Sequence, residues 1–477
     1  MNKEAVIIGG GITGLAAALA LQGKADYMLL EKDSRLGGKI LTEKAEGFII
    51  EGGPDCFLSE KPWVAQLAAS LGISHRLLGT NEEQKGTFVL SKGRLHRLPE
   101  GLMLLVPTQI WPFVINPLIS WPGKLRMALD LFLPPKKGGG DESLASFVRR
   151  RLGQEALDKI AGPLIGGIHA GDPDTMSLQA SFPRFLNMEQ NYGSITKAML
   201  AARKHKAVPQ ATQDAGVAKT YFMSFRDGLG ELTAAVIARL DQERLKTGAP
   251  VKSIASSQEE GKRIYVVELE NGTQVRSPAL ILAIPAGAAA LLVRDLDPEM
   301  SAALKQMPAV SSATVSLAFK AADIPRKLEG FGFVVPAGEN RKIMAVTYSS
   351  LKWAGRVPDA SFVLLRVFVG GAHQEQLAQL DDGAILKLVG QELHDILAIK
   401  TSPLFARIYR WIKGMPQYTL GHLDRMSLIE QRAGQLPGFY LAGGSYRGVG
   451  IGDCINGGTK AAEGALQYLQ ENKFNPK

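Results

Sequence analysis

Ala5-Val-Ile-Ile-Gly9-Gly-Gly11-Ile-Thr-Gly14 carries four apolar residues straight into Gly-x-Gly-x-x-Gly, and an apolar helical run with Leu15, Ala18, Leu19 and Gln22 follows. Strand, glycine loop and helix in that order form a phosphate-binding turn. Gly9 permits the tight turn, Gly11 lets backbone approach a pyrophosphate, and Gly14 allows close helix–strand packing. Ile12 and Thr13 begin the helix, whose free N–H groups and positive dipole end face the phosphates. A second apolar strand ends at Leu29-Leu30-Glu31. Glu31 lies about twenty residues past the glycines, the spacing at which a carboxylate hydrogen-bonds a ribose diol. Together these features predict a Rossmann-like dinucleotide site.

The next residues choose the dinucleotide. Lys32 and Arg35-Leu-Gly-Gly38-Lys39 follow Glu31, and Glu51-Gly52-Gly53-Pro54-Asp55 comes soon after. This is glycine-dense where a bound flavin needs close backbone approach. Here the chain resembles the amine-oxidase-like FAD superfamily, which carries the same Glu-x-x-x-Arg-x-Gly-Gly continuation. The resemblance implies FAD rather than NAD.

Size and composition exclude several classes. A chain of 477 residues has ample core for about three domains. Its two cysteines, Cys56 and Cys454, cannot form a disulfide scaffold, and a reducing cytoplasm fits. No signal peptide is expected ahead of the first strand, the seven histidines lack metal spacing, and no metal is expected. The net charge of +9 includes runs at Lys136-Lys137, Arg149-Arg150-Arg151 and Arg203-Lys204-His205-Lys206. Without interleaved stacking aromatics these runs do not read as a nucleic-acid module. They read as solvated faces, or as attraction to anionic lipid or a carboxylate-rich substrate.

The segment Gly101 to Pro135 is apolar, with Trp111, Phe113, Trp121 and Phe132, but Pro107, Pro112, Pro117 and Pro122 interrupt it. A transmembrane helix needs about twenty continuous apolar residues. The segment reads either as an interfacial stretch with tryptophan at headgroup level or as pocket wall and core. Helical patterns run from Ser143 to about Leu200. Strands return at Val251, at the Asn271-Gly272 hairpin, and at Leu280 to Ile284. Longer alternating strands span Ala313 to Gly371, as one wall of a substrate cavity would, and a last helix is expected from about Asn456 to Leu469.

Three further strings narrow the resemblance: Gly167-Ile-His-Ala170-Gly-Asp, Met415-Pro-Gln-Tyr-Thr-Leu-Gly-His422, and Gly443-Gly-Ser-Tyr-Arg-Gly-Val449-Gly450-Ile451-Gly-Asp-Cys-Ile455. Over essentially its whole length the chain is similar to the oxygen-dependent porphyrinogen oxidases of haem synthesis, the protoporphyrinogen and coproporphyrinogen oxidases. The implied fold is α/β. It comprises a Rossmann-like FAD-binding domain (1–60, 218–290 and 405–477) and an inserted mixed-sheet substrate domain (61–100, 184–217 and 291–404). A helical domain (101–183) is the place for any membrane contact.

Carried over by position, Gly9 to Gly14 meet the pyrophosphate and Glu31 the ribose, with Lys32, Arg35, Gly38 and Lys39 nearby. Gly52, Gly53, Pro54 and Asp55 run along the isoalloxazine. Val251 meets the adenine end through its backbone, and Trp411 flanks the flavin. Val449, Gly450 and Ile451 sit at the start of the C-terminal helix, where N–H groups stabilise negative charge. Gly167 and Ala170 face the pyrroles, with Val334 and Phe368 as apolar walls. Met103 stands where plant and animal members carry a propionate-binding arginine. Arg94 and Arg97 are the candidate replacements, and Lys61 falls where some bacterial relatives of the coproporphyrinogen type carry lysine.

The resemblance implies an FAD-dependent oxidation of protoporphyrinogen IX to protoporphyrin IX by molecular oxygen, with coproporphyrinogen III as the alternative substrate. Three two-electron rounds complete the oxidation and yield peroxide. The cofactor does the hard chemistry, so no side-chain acid or base is nominated, His169 and Asp172 included. Carotenoid-desaturase-like, amine-oxidase and non-catalytic porphyrin-binding readings are lesser alternatives. The expected location is cytoplasmic, open to peripheral membrane contact, with the next haem-pathway enzyme as a candidate partner.

Overall fold

The structure is a computed structural model that describes residues 1–99, 102–103, 106–107, 110–136, 138–205 and 220–472. Parts of the Gly101–Pro135 stretch, Lys137, Lys206 and the boundary drawn near 218 lie outside those residues.

Strand Ala5–Ile8 is the middle of a five-stranded parallel sheet, in the order Leu245–Lys246, Tyr27–Leu30, Ala5–Ile8, Ala279–Leu282, Phe439–Leu441. Successive side chains of a strand point to opposite faces, and both faces here are buried, as a parallel sheet requires. Ala5, Ile7, Tyr27, Leu29 and Ile281 pack on helices Ile12–Leu21 and Ile451–Glu471. Val6, Ile8, Met28, Leu30 and Leu280 face the other way. There they meet the antiparallel sheet Val251–Glu259, Lys262–Leu269 and Gln274–Ser277, with Asn271-Gly272 in its second turn.

A seven-stranded sheet follows the order Phe405–Pro416, Ala309–Lys320, Phe362–Gly370, Ala345–Tyr348, Gly332–Val334, Phe88–Ser91, Arg94–Arg97. Its pairs are antiparallel except Gly332–Val334 with Phe88–Ser91. One face packs on helix Asp382–Leu397 through Ile385, Val389, Leu393 and Ile396. The other face gives Val89, Val334, Ala345 and Phe368 to a core shared with the helical unit. Strand Phe405–Pro416, which the division by sequence put with the nucleotide unit, pairs along its length with Ala309–Lys320.

Helices Leu144–Arg151, Gly162–His169, Leu178–Ser181 and Pro183–Tyr192 build the helical unit. Arg151, fully buried, ties it together with Asp130 at 2.5 Å and the carbonyls of Leu133, Pro134 and Gly193. The C-terminal helix begins at Ile451, five residues before the expected Asn456. Gly450 is extended and caps it, and Asp453 adds negative charge to its first turn, where the dipole favours it. The extra turn moves the N-terminus up to the glycine loop.

Candidate functional site

The Gly9–Gly14 loop is built by close packing on one side and open space on the other. Gly9 has φ +107°, and a Cβ there would meet the Ala283 carbonyl oxygen at 2.5 Å. A Cβ on Gly14 would fall 1.8 Å from the Gly9 carbonyl oxygen, so helix and strand touch directly. A Cβ on Gly11 would meet nothing within 4 Å. Of these three glycines, Gly11 alone faces open space. Ile12 and Thr13 start the helix beside it.

At the C-terminal end of the second strand Glu31 is buried, with Oε2 accepting from Gly10 N at 2.6 Å and Oε1 from Asp33 N at 2.9 Å. Each oxygen keeps lone-pair capacity for a diol. Ala249 N donates to Glu31 O and Gly248 N to Asp33 O, which brings Val251 in behind that end. Gly37 bridges Gly11, and Arg35 holds the loop by donating to the Gly38 carbonyl at 2.5 Å. Lys32 points outward with only Asp33 near it, at 3.9 Å. Lys39 retains accessible surface yet is enclosed by protein. That enclosure lowers its pKa, with Cys454 opposing.

Gly52 and Gly53 form a ledge. A Cβ on Gly53 would lie 1.7 Å from the Lys39 carbonyl oxygen, and one on Gly52 would strike Tyr409 at 2.8 Å. The Gly52 carbonyl accepts from Trp411 Nε1 at 2.8 Å and from Thr314 Oγ1 at 2.9 Å. The Gly53 carbonyl accepts from Arg366 Nη2. Pro54 leads to Asp55, which accepts from Lys352 Nζ at 2.8 Å and Trp353 Nε1 at 3.0 Å. Burial alone would raise Asp55, but Lys352 and Arg366 hold it below the usual carboxylate range.

The Met415–His422 string, opaque in the sequence, is a latch. Gln417 Nε2 donates to the His169 carbonyl at 3.0 Å, and the Tyr418 carbonyl accepts from Ser177 N at 2.7 Å. The Tyr418 hydroxyl donates to Gly444 O at 2.8 Å and accepts from Gly448 N at 2.7 Å, while its ring stacks on His422 at 4.0 Å. One segment thus fastens the Gly167–Asp172 loop to Gly443–Ile451, where Val449 and Gly450 lead into the C-terminal helix. Lys61 reaches that helix too, its Nζ 2.5 Å from Asp453 Oδ2.

On the opposite wall a Cβ on Gly167 would meet Val334 at 2.9 Å and Ala345 at 3.8 Å. Phe368 pairs in register with Ala345. Ala170 ends the helix Gly162–His169 in the left-handed region, φ 49°. Gly167, Val334 and Phe368 therefore share one wall, with Ala170 at its edge. Arg97 lies on the outermost strand, its guanidinium donating to the Lys85 carbonyl at 3.0 Å. Burial pushes His169 down to about 4, so it is neutral at ordinary pH.

Sequence reasoning missed Arg366, Lys352, Thr314, Gln417 and Tyr418. For Arg366 there was a signal: an arginine amid Phe362-Val-Leu-Leu-Arg-Val-Phe-Val369, in a strand otherwise apolar on both faces.

Comparison with known proteins follows the same lines. Residues 12–466 match the family of flavin-containing amine oxidoreductases. The coproporphyrinogen III oxidase of Bacillus subtilis (strain 168) is 37% identical over 98% of this chain and 99% of its own length. The chloroplastic protoporphyrinogen oxidase of Nicotiana tabacum is 29% identical over 99% of this chain and 87% of its own. A crystal structure from Exiguobacterium sp. 255-15, provisionally named a protoporphyrinogen oxidase, superimposes with a TM-score of 0.84 at 32% identity, covering 98% of this chain and 99% of that one.

Proposed function

The chain belongs to the flavin-containing amine oxidoreductases, and from that premise we propose that it oxidises a porphyrinogen to the porphyrin in haem synthesis, with molecular oxygen as oxidant. FAD is its cofactor: the family supplies the flavin, and the open Gly11 with Glu31 beyond it supplies the adenine dinucleotide site. Held by the Gly9–Gly14 loop, Glu31 and the Gly52–Asp55 ledge, FAD would supply the capacity to accept hydride from a methylene bridge and to be reoxidised by oxygen with release of peroxide.

The protein's own residues bind, orient and exclude water. The observation that carries the reading is the Gln417–Tyr418 latch, which fixes the Gly167–Ala170 loop and the Gly443–Ile451 loop relative to each other. A porphyrinogen held against Val334 and Phe368 then presents a methylene bridge toward the Gly52–Gly53 ledge. Burial holds His169 down to about 4 and so makes it a weak base, and orientation and electrostatics carry the protein's share.

Between the two substrates we place coproporphyrinogen III first, because identity to the Bacillus subtilis enzyme, 37%, exceeds the 29% to the tobacco enzyme. The binding residues carried over by position, Arg97 included, belong to the same proposal, as does a cytoplasmic location with peripheral contact through the helical unit. Anaerobic addition of porphyrinogen is the test. Bleaching of the flavin absorbance supports an oxidase, and an unchanged spectrum with tight binding supports a carrier.

A further inference from the structure

Arg366 stands in the central part of the seven-stranded sheet, between Ser316 and Thr347, and is 3% exposed. It is in no ion pair among the described residues. Nη2 donates to the Gly53 carbonyl, Nε has no partner, and the guanidinium lies 4.8 Å over the Phe368 ring. A buried cation left in this state is costly unless something compensates.

The nearby carboxylates, Asp55 foremost, attract it through space without forming an ion pair with it. Asp55 is taken by Lys352 and Trp353. Glu51 accepts from Thr42 and Leu229 N, lies 3.9 Å from Arg356, and is driven toward its neutral form by burial. Burial pushes the Cys56 thiol up to about 12, so it is uncharged. The Tyr409 hydroxyl is also raised, by burial and by donating to Glu43. Lys352, Arg356 and Arg366 thus stand with Glu51 and Asp55 behind the ledge, while Glu231 and Asp227 act on Arg356 as well.

We propose that Arg366 is a fixed positive charge held against the flavin ledge, stabilising the negative charge that arrives there when the porphyrinogen is oxidised. The proposal rests on the reading that Gly52–Asp55 runs along the flavin ring. In each round a methylene carbon gives up hydride and a pyrrole nitrogen gives up a proton, so the electron pair accumulates on the ledge side. A preorganised charge there favours that state without reorganisation. On the substrate side the Phe368 ring face lies against the guanidinium and takes up its field. Arg366 is thereby a positioning and electrostatic residue, set one turn of the pleat from the macrocycle wall.

The test uses FAD-loaded wild type, Arg366→Met, Arg366→Lys and Asp55→Asn, with no porphyrinogen present. The flavin midpoint potential is read spectroscopically against reference dyes, and FAD retention by absorbance. Arg366→Met should shift the potential negative, Arg366→Lys should stay near wild type, and Asp55→Asn, which removes a negative charge, should shift it positive. An Arg366→Met protein that keeps FAD at the wild-type potential overturns the proposal. Should that variant lose FAD, Asp55→Asn decides: an unchanged or more negative potential overturns it. The substrate reading fails separately, since it alone predicts bleaching of wild type by porphyrinogen.

Discussion

A Cβ on Gly458 would lie 2.1 Å from the Thr13 carbonyl oxygen, so the C-terminal helix and the glycine-loop helix cross with backbone against backbone. That contact brings two helix N-termini, at Ile12 and Ile451, toward one site. Gly458→Ala should force the helices apart, at a cost of roughly 1–3 kcal/mol, and release FAD more readily. Gly457→Ala is the control, since a Cβ there has its nearest neighbour only at 4.0 Å. Thermal unfolding and flavin fluorescence measure both. Equal behaviour of the two variants would show that the close crossing does not matter.

The nucleotide half of this architecture was legible because local rules govern it. Gly9, Gly11, Gly14 and Glu31 act through spacing along one strand–turn–helix unit, and the structure puts each where that spacing implies. Arg366, Lys352 and Tyr418 were not legible, because their partners lie far along the chain. Arg366 meets Gly53 across 313 positions, and Lys352 meets Asp55 across 297. Tyr418 gains its meaning only when Gly444 and Gly448 fold back onto it. Periodicity sees an apolar strand at Phe362–Gly370. It cannot see that one residue in it answers a carbonyl in another unit.

His169 gives a pH dependence of definite sign. Burial depresses it from 6.5 to about 4 in the folded protein. Between those values the unfolded chain binds a proton that the folded chain refuses, so stability falls as pH drops through that window and is unaffected above it. The loss is at most about 3 kcal/mol, and less because the ring is only half-buried. Urea midpoints at pH 7.5 and 5.0 should therefore converge in His169→Gln relative to wild type. An identical acid loss in the variant would assign the effect to other groups.

The helical unit exposes large apolar side chains on two consecutive helices. Trp111 is 77% exposed, Trp121 64%, and Phe132, just beyond them, 82%. Among the described residues no helix is long and apolar enough to cross a membrane, so a surface contact is the form such a patch takes. Changing all three residues to serine should abolish cosedimentation with phosphatidylglycerol vesicles and leave the melting temperature unchanged, since none of them is core. Cosedimentation of wild type no better than a control protein would end the membrane reading.

Lys61 and Asp453 set the last expectation. The Lys61 ammonium lies 2.5 Å from Asp453, in the first turn of the C-terminal helix. A substrate propionate would compete with that carboxylate for the ammonium. Coproporphyrinogen III carries four propionates against two for protoporphyrinogen IX, so a cation at the rim favours the former. The ratio of kcat/KM values measures the preference, and a tenfold ratio corresponds to about 1.4 kcal/mol. Lys61→Ala should remove most of that margin. Asp453→Asn should widen it, because it frees the ammonium while keeping the side chain's shape. Opposite movement of the ratio in the two variants identifies Lys61 as a propionate anchor. If Lys61→Ala leaves the ratio untouched, the ion pair only ties the Lys61 segment to the C-terminal helix, and selectivity lies elsewhere on the rim.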